Sequence, residues 1–198
     1  MAYITAADLR SYIGATSTTD DTQLGYAATR AQSMVETYTN RIFECSADTT
    51  RYYNALDFRY GGNVDAMNNT LMLDYDLCQL TTIVNGNGQT IPNNVTVLLP
   101  TNYTPSYAIK IQMNTSYIWT YTGTPDISIA ITGRFAYSIT PPSDIVAACL
   151  RLGSFIYRAR EGTPDSDRAI LSSDGVILQA PRIPTDVQQT LEPYRKRS

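Results

Sequence analysis

Pro141-Pro142-Ser143-Asp144-Ile145-Val146-Ala147-Ala148-Cys149-Leu150-Arg151-Leu152 is the stretch on which the fold turns. Prolines fit the first turn of a helix, where a missing N–H costs little. Beyond them Ile145, Ala148, Cys149, Leu152, Phe155, Ile156 and Ala159 recur at helical steps and build one apolar face. Arg158 and Arg160 suit the negative end of a helix, and Gly162-Thr163-Pro164 supplies a cap and a stop. A helix therefore reopens here, after about ninety residues that carry a different period.

Those residues, 50–140, are broken into short β-branched or aromatic runs. Tyr52-Tyr53, Leu71-Met72-Leu73, Leu80–Val84, Val95–Leu99, Ala108–Met113, Tyr117–Tyr121 and Ile127–Phe135 are separated by Gly, Asn and Pro. Asn85-Gly86-Asn87-Gly88 between two runs is a hairpin signal, since primed turns need the positive φ that Asn and Gly tolerate. Ile127, Ile129 and Ile131 alternate with smaller or polar residues, the pattern of a half-buried strand. About seven strands are expected, in a small antiparallel sheet or sandwich.

Upstream of the β-rich stretch lie two helical patterns. Thr5-x-x-Asp8 is a capping-box signal, Leu9, Tyr12 and Ile13 follow at helical spacing, and Gly14 ends the helix. Asp20 with Gln23 is a second cap signal. Leu24, Ala27, Ala28, Ala31, Met34, Val35 and Tyr38 then mark a helix over about 21–41 whose small-residue stripe permits close packing. Downstream, residues 163–184 read as an extended arm, and Thr185-Asp186-Val187-Gln188 as a capping box for a short helix to Leu191. The expected class is α+β: a small helical bundle (1–49 with 141–162) interrupted by an inserted antiparallel β lobe (50–140), with an extended C-terminal docking arm (163–198).

Composition narrows the function. Charged residues are scarce at 17%, and only Lys110 and Lys196 are lysines. Surfaces rich in Tyr, Asn and Thr suit protein–protein contact, because long flexible cations cost entropy when ordered. Net charge is −3. The acidic balance argues against a dedicated DNA-gripping domain, which would show a basic stripe. Arg195-Lys196-Arg197 is the one basic cluster. Cys45, Cys78 and Cys149 are far apart, and there is no histidine. No close ligand pairs exist for zinc, so the cysteines read as small buried residues or free thiols. The N-terminus shows no charged-then-apolar leader, and no apolar run approaches the roughly 20 residues a bilayer demands.

Chemistry is not signalled. Without histidine, Ser-His-Asp and Cys-His nucleophiles are unavailable, and no GxxxxGK or GxGxxG loop is present. Asp74 and Asp76 flank Tyr75, so on a strand both carboxylates share a face, which could serve a carboxylate hydrolase or a cation. Tyr117, Trp119 and Tyr121 could form a stacking face for host glycans, making the lobe an adhesion module. The plainer readings are a strand end and a sandwich core. No cofactor and no metal are expected, and the chain is not expected to be an enzyme.

Four stretches carry a family resemblance: Ile4-Thr5-Ala6-Ala7-Asp8-Leu9-Arg10-Ser11-Tyr12, Asp20-Asp21 leading to Val35-Glu36-Thr37-Tyr38-Thr39-Asn40-Arg41, Pro141-Pro142-Ser143-Asp144-Ile145, and Asp174-Gly175-Val176-Ile177-Leu178 through Ile183-Pro184 to Leu191-Glu192-Pro193-Tyr194-Arg195. In order and spacing, over about half the chain, they resemble the head-completion, or head-to-tail connector, proteins of long-tailed bacteriophages. The resemblance implies a structural virion protein at the head–tail junction, assembled in the host cytoplasm. It implies a dodecameric homo-oligomer ring between the portal protein and the tail or next head-completion protein. Packaged DNA would pass through its channel without sequence-specific binding. Within that picture Leu191, Pro193, Tyr194, Arg195, Lys196 and Arg197 are candidates for gripping the portal or a neighbour. Ala27, Ala31, Met34 and Tyr38 are candidates for the subunit-packing helix face. No membrane partner is expected. The β lobe is longer than in compact members of that family.

Overall fold

The computed structural model describes residues 2–161, 170–171, 177–178 and 183–196. The chain divides into two compact units, Met1–Arg41 with Pro141–Ser198, and Ile42–Thr140. The class is α+β, as the alternation of periods predicts.

The first unit is helical. α1 (Ala6–Ile13) is closed at its start by a complete capping box, with Asp8 N donating to Thr5 Oγ1 at 3.1 Å and Thr5 N to Asp8 Oδ2 at 2.8 Å. Gly14, at φ 76°, ends it in the left-handed conformation. α2 (Asp21–Thr39) begins without the side-chain cap its sequence predicts. The Asp20 carboxylate accepts instead from Tyr157 Oη at 3.2 Å, a long-range partner that outcompetes the local amide. Arg10 Nη1 donates to both carboxylate oxygens of Asp21 (2.6 Å to Oδ1), which joins the start of α2 to the end of α1. α3 (Ser143–Glu161) starts just after the prolines rather than with them in its first turn, and Pro142 O accepts from Ile145 N and Val146 N. Gly153 lets α1 approach, since a Cβ there would lie 3.2 Å from Leu9 Cδ2. Gly162 lies outside the described residues.

Later elements depart from expectation in two ways. In the arm, β9 (Ile170–Leu171) and β10 (Ile177–Leu178) pair antiparallel. α4 (Thr185–Leu191) has Pro184, not Thr185, at its cap position, so the predicted capping box does not form. The Gln188 side chain donates to Ile183 O at 3.0 Å and ties down the entry to the helix. A short 3-10 turn, Glu192–Tyr194, follows.

The second unit is a β-sandwich of two four-stranded antiparallel sheets, eight strands where the sequence suggests about seven. One sheet has the order β1 (Thr49–Tyr53), β8 (Ile129–Arg134), β4 (Gln79–Val84), β5 (Thr90–Ile91). The other runs β2 (Val64–Asp65), β3 (Thr70–Leu77), β7 (Ser106–Ile111), β6 (Thr96–Leu99). Between them Leu71, Leu77, Ile83, Ile109, Ile129 and Ile131 form a core with no exposed surface. The Asn85–Gly88 turn joins β4 to β5 as the motif predicts, closed by Asn85 N to Gln89 O at 2.8 Å.

Two expected strand segments are not strands. Tyr117–Tyr121 is held by side chains rather than a ladder. Buried Asn69 takes Tyr117 O and Trp119 N, and buried Asn85 takes Ile118 O (2.8 Å) and Thr120 N (3.2 Å). An amide side chain carries the same donor and acceptor as a peptide group, so two asparagines replace a neighbouring strand. Ile127 is the other departure: it sits at φ 47° and is exposed, and the alternation begins at Ile129.

Candidate assembly interface

α2 packs against α3 and α1, and its small-residue stripe is buried within the helical unit. Ala27 and Ala31 are buried inside the helical unit, Ala31 completely. They contribute close packing within one chain and offer no face to a neighbour. Met34 is half-buried on the same helix. Tyr38 is half-buried too, and its hydroxyl donates to Glu192 Oε2 at 2.9 Å, while the Arg195 guanidinium stands 5.6 Å above its ring. The hydrogen bond that the protonated hydroxyl donates to Glu192 raises the Tyr38 pKa above its ordinary value, because ionisation would give up that bond.

The C-terminal residues converge on the same place. Leu191 and Val187 are buried within the helical unit, so Leu191 spends its surface inside its own chain. Tyr194 Oη bonds Asp144 Oδ2 at 3.1 Å, reaching the first turn of α3. Lys196 N donates to Thr39 O at 2.8 Å and thereby covers one of the free carbonyls at the end of α2. Arg151 Nε meets Asp186 Oδ2 at 2.9 Å across α3 and α4, holding the Asp186 carboxyl below its ordinary pKa. Pro193 and Arg195 remain exposed. Arg197 lies outside the described residues. The terminal segment is thus a strap laid over α2 and α3, with Val187 and Leu191 buried on its inner side and Pro193 and Arg195 exposed.

Glu192, Asp144, Asp186 and Arg151 were not singled out by sequence reasoning. Each is an ordinary charged residue whose partner lies 35 or more positions away, so no local spacing marks it.

The features considered for other functions are also placed. Trp119 is buried and donates through Nε1 to Asn69 O at 3.1 Å, so it belongs to the sandwich core and cannot stack on a glycan. Tyr117 is half-buried against that core, and Tyr121 is exposed. Asp74 and Asp76 lie where β3 loses register between Met72 and Leu77, and no group of three metal-ligating side chains occurs among the described residues. The thiols are free; Cys149 is buried, and burial pushes it up to about 12, while Cys45 and Cys78 are half-buried.

Large exposed apolar side chains are more numerous on the lobe than on the helices. Phe58, Tyr60 and Met67 sit on neighbouring turns laced by the Asp57 and Asp65 carboxylates, which accept from Arg59 N, Met67 N and Asn68 N. Tyr12 and Tyr26 are the exposed aromatics of the helical unit. No described helix is long and apolar enough to cross a membrane.

No family model matches the chain, and no curated protein matches it in sequence. Solved structures do match in fold. A chain from the neck of an empty gene transfer agent particle, reconstructed with C6 symmetry, aligns with a TM-score of 0.57 at 14% identity over 99% of this chain and 91% of that one. A chain of the native gene transfer agent virion aligns with the same TM-score at 15% identity and the same coverage. At that level of identity the likeness is one of fold, and it runs through the helical unit and the β-sandwich alike.

Proposed function

We propose that this chain is a structural component of a virion neck, forming a ring between portal and tail that completes the DNA-filled head. The observation that carries the reading is the fold match: nearly the whole chain, sandwich included, aligns with a neck chain of a C6-symmetric particle. The four sequence stretches that resemble head-to-tail connectors support the same reading independently of the structure. A dodecameric ring suits the resemblance and is compatible with sixfold symmetry. The exposed side of the terminal strap, Pro193 and Arg195, is the portal- or neighbour-facing surface in this scheme. A net charge of −3 with few lysines suits a conduit wall, since like charge keeps the duplex from adhering to it.

Native mass spectrometry of the chain with its portal tests the reading. The expected result is a discrete portal-dependent ring with a copy number divisible by six, and particles lacking the chain should lose DNA or lack tails. A chain that stays monomeric beside portals, with particles intact in its absence, overturns it. Removing residues 192–198 should weaken portal co-sedimentation while leaving the sandwich folded; unchanged co-sedimentation removes the strap from the interface.

A further inference from the structure

We infer that Asn87 is a site of spontaneous covalent modification, where water converts the side-chain amide to a carboxylate. The identical Asn-Gly step two residues earlier, at Asn85, is shielded from the same reaction. Asn85-Gly86 and Asn87-Gly88 share one turn between β4 and β5, so composition treats them alike. The reaction begins when the backbone nitrogen of the following residue attacks the asparagine Cγ. A nitrogen–carbon bond forms, the Cγ–Nδ2 bond breaks, and the amide leaves as ammonia, taking the proton of the attacking N–H. Water then opens the resulting five-membered imide at either carbonyl, leaving aspartate or its isomer linked through the side chain. No oxidant or reductant takes part. A following glycine favours the attack, because no Cβ crowds the nitrogen and the backbone can turn as ring closure requires.

Asn85 is built into the sandwich and is only 2% exposed. Its Nδ2 donates to Ile118 O at 2.8 Å, and its Oδ1 accepts from Thr120 N at 3.2 Å and from Gly86 N at 3.0 Å. The nitrogen that must attack is therefore aimed at the amide oxygen, and the nitrogen that must leave is held. Gly86 is hemmed in as well. A Cβ there would lie 2.7 Å from both Thr120 O and Ser128 Oγ, and its carbonyl accepts from Thr122 N at 3.1 Å. An imide cannot close at this step without displacing the segment that Asn85 bonds.

Asn87 and Gly88 are exposed, and a Cβ on Gly88 would meet nothing within 4 Å, so the ring has room. Asn87 Oδ1 accepts from Gln89 N at 3.0 Å, which lays the side chain along the backbone that attacks it and draws electron density from Cγ. Among the described residues its Nδ2 has no hydrogen-bond partner to hold the leaving amide. One restraint applies: Gly88 N donates to Asn85 O at 2.8 Å and must let go before it attacks. That is a single bond at the exposed tip, and opening it leaves the β4–β5 pairs Ile83–Ile91 and Val84–Thr90 in place. The product adds one negative charge to a chain whose net charge is −3. The aspartate form can still accept from Gln89 N, whereas the isomer adds a carbon to the backbone between the two strands.

Peptide mass spectrometry tests the proposal on the full chain, held folded in mildly alkaline buffer beside the same chain unfolded in guanidinium chloride. Unfolded, both asparagines should convert at similar rates. Folded, Asn87 should stay within about tenfold of its unfolded rate, since one exposed hydrogen bond must open. Asn85 should fall at least roughly thirtyfold below its own, since several buried bonds must open together. Asn87→Ser should remove the fast conversion from the folded chain. Asn85 converting as fast as Asn87 in the folded chain overturns the inference. So does an Asn87 slowed as much as Asn85, which means the hairpin protects both, or a fast conversion that survives Asn87→Ser. None of these outcomes touches the neck reading, because the chemistry requires no partner.

Discussion

Leu191→Ala is the sharpest probe of how the terminal strap is held. Leu191 has no exposed surface, whereas the polar ties of the strap lie at the surface: Arg151 and Asp186 are each about half exposed. Truncating a buried leucine costs about 2–5 kcal/mol, from lost transfer energy plus the cavity left behind. Exposed ion pairs contribute little, because water screens them and two long side chains must be ordered. The apolar anchor should therefore dominate. The readout is exchange of the Lys196 amide, which is bonded to Thr39 O only while the strap is docked. A loss of about 2 kcal/mol speeds that exchange roughly thirtyfold, at 1.4 kcal/mol per factor of ten. Asp186→Asn should accelerate it only slightly. If both substitutions accelerate exchange equally, or if Leu191→Ala leaves it unchanged, the strap is held by its surface bonds and the argument fails.

Asn85→Ala should destabilise the sandwich by about 1–3 kcal/mol, because it strips the buried amide partner from Ile118 O and Thr120 N, which lie close enough to the surface for water to replace part of the loss. Asn68→Ala, at an exposed turn, should move the melting transition of the sandwich little by comparison. A third expectation concerns acid. Arg151 lowers the Asp186 pKa and Thr5 lowers that of Asp8, so both carboxylates stabilise the helical unit above the ordinary Asp value of 3.8. That contribution is lost as pH falls through their folded values, below 3.8. Urea midpoints of the helical unit should fall as pH drops from about 4 through those lower folded values in the wild type. In Asp186→Asn they should fall by less, which chevron or equilibrium titrations can resolve.

Much of the fold can be read from the residues because its signals are local. Thr5 and Asp8 meet within one turn, Gly14 supplies its own left-handed stop, and Asn85–Gly88 makes its own hairpin. The alternation of Ile129 and Ile131 reports burial directly. Reading fails where a residue's partner is distant. Asp20 resembles a cap until Tyr157, 137 positions on, takes its carboxylate. Thr185 resembles a cap until Pro184 proves to occupy that position. Tyr117–Tyr121 has strand composition, yet buried amides from two other loops bond it as single residues. Composition describes what a segment tolerates, and only the fold decides what it bonds to.

The same limit governs the candidate interface, and it carries a wider consequence for assembly proteins. An alanine stripe on a helix announces close packing without naming the partner. Here Ala27, Ala28 and Ala31 are buried within the helical unit of the same chain, so the stripe is used up in folding. A subunit with its strongest apolar faces satisfied internally must assemble through weaker surfaces, such as exposed aromatics, hydroxyls and free backbone edges. Such contacts are marginal singly and gain strength when a ring repeats and closes them. Scarcity of lysine is then more informative than any apolar stripe, because it describes the surface that remains after folding. Tyr52 shows the distinction: it stands 62% exposed on β1, which among the described residues pairs with β8 on one side alone. Hydropathy rates it as unremarkable, whereas its exposure on a sheet edge marks it as part of the surface that folding leaves over.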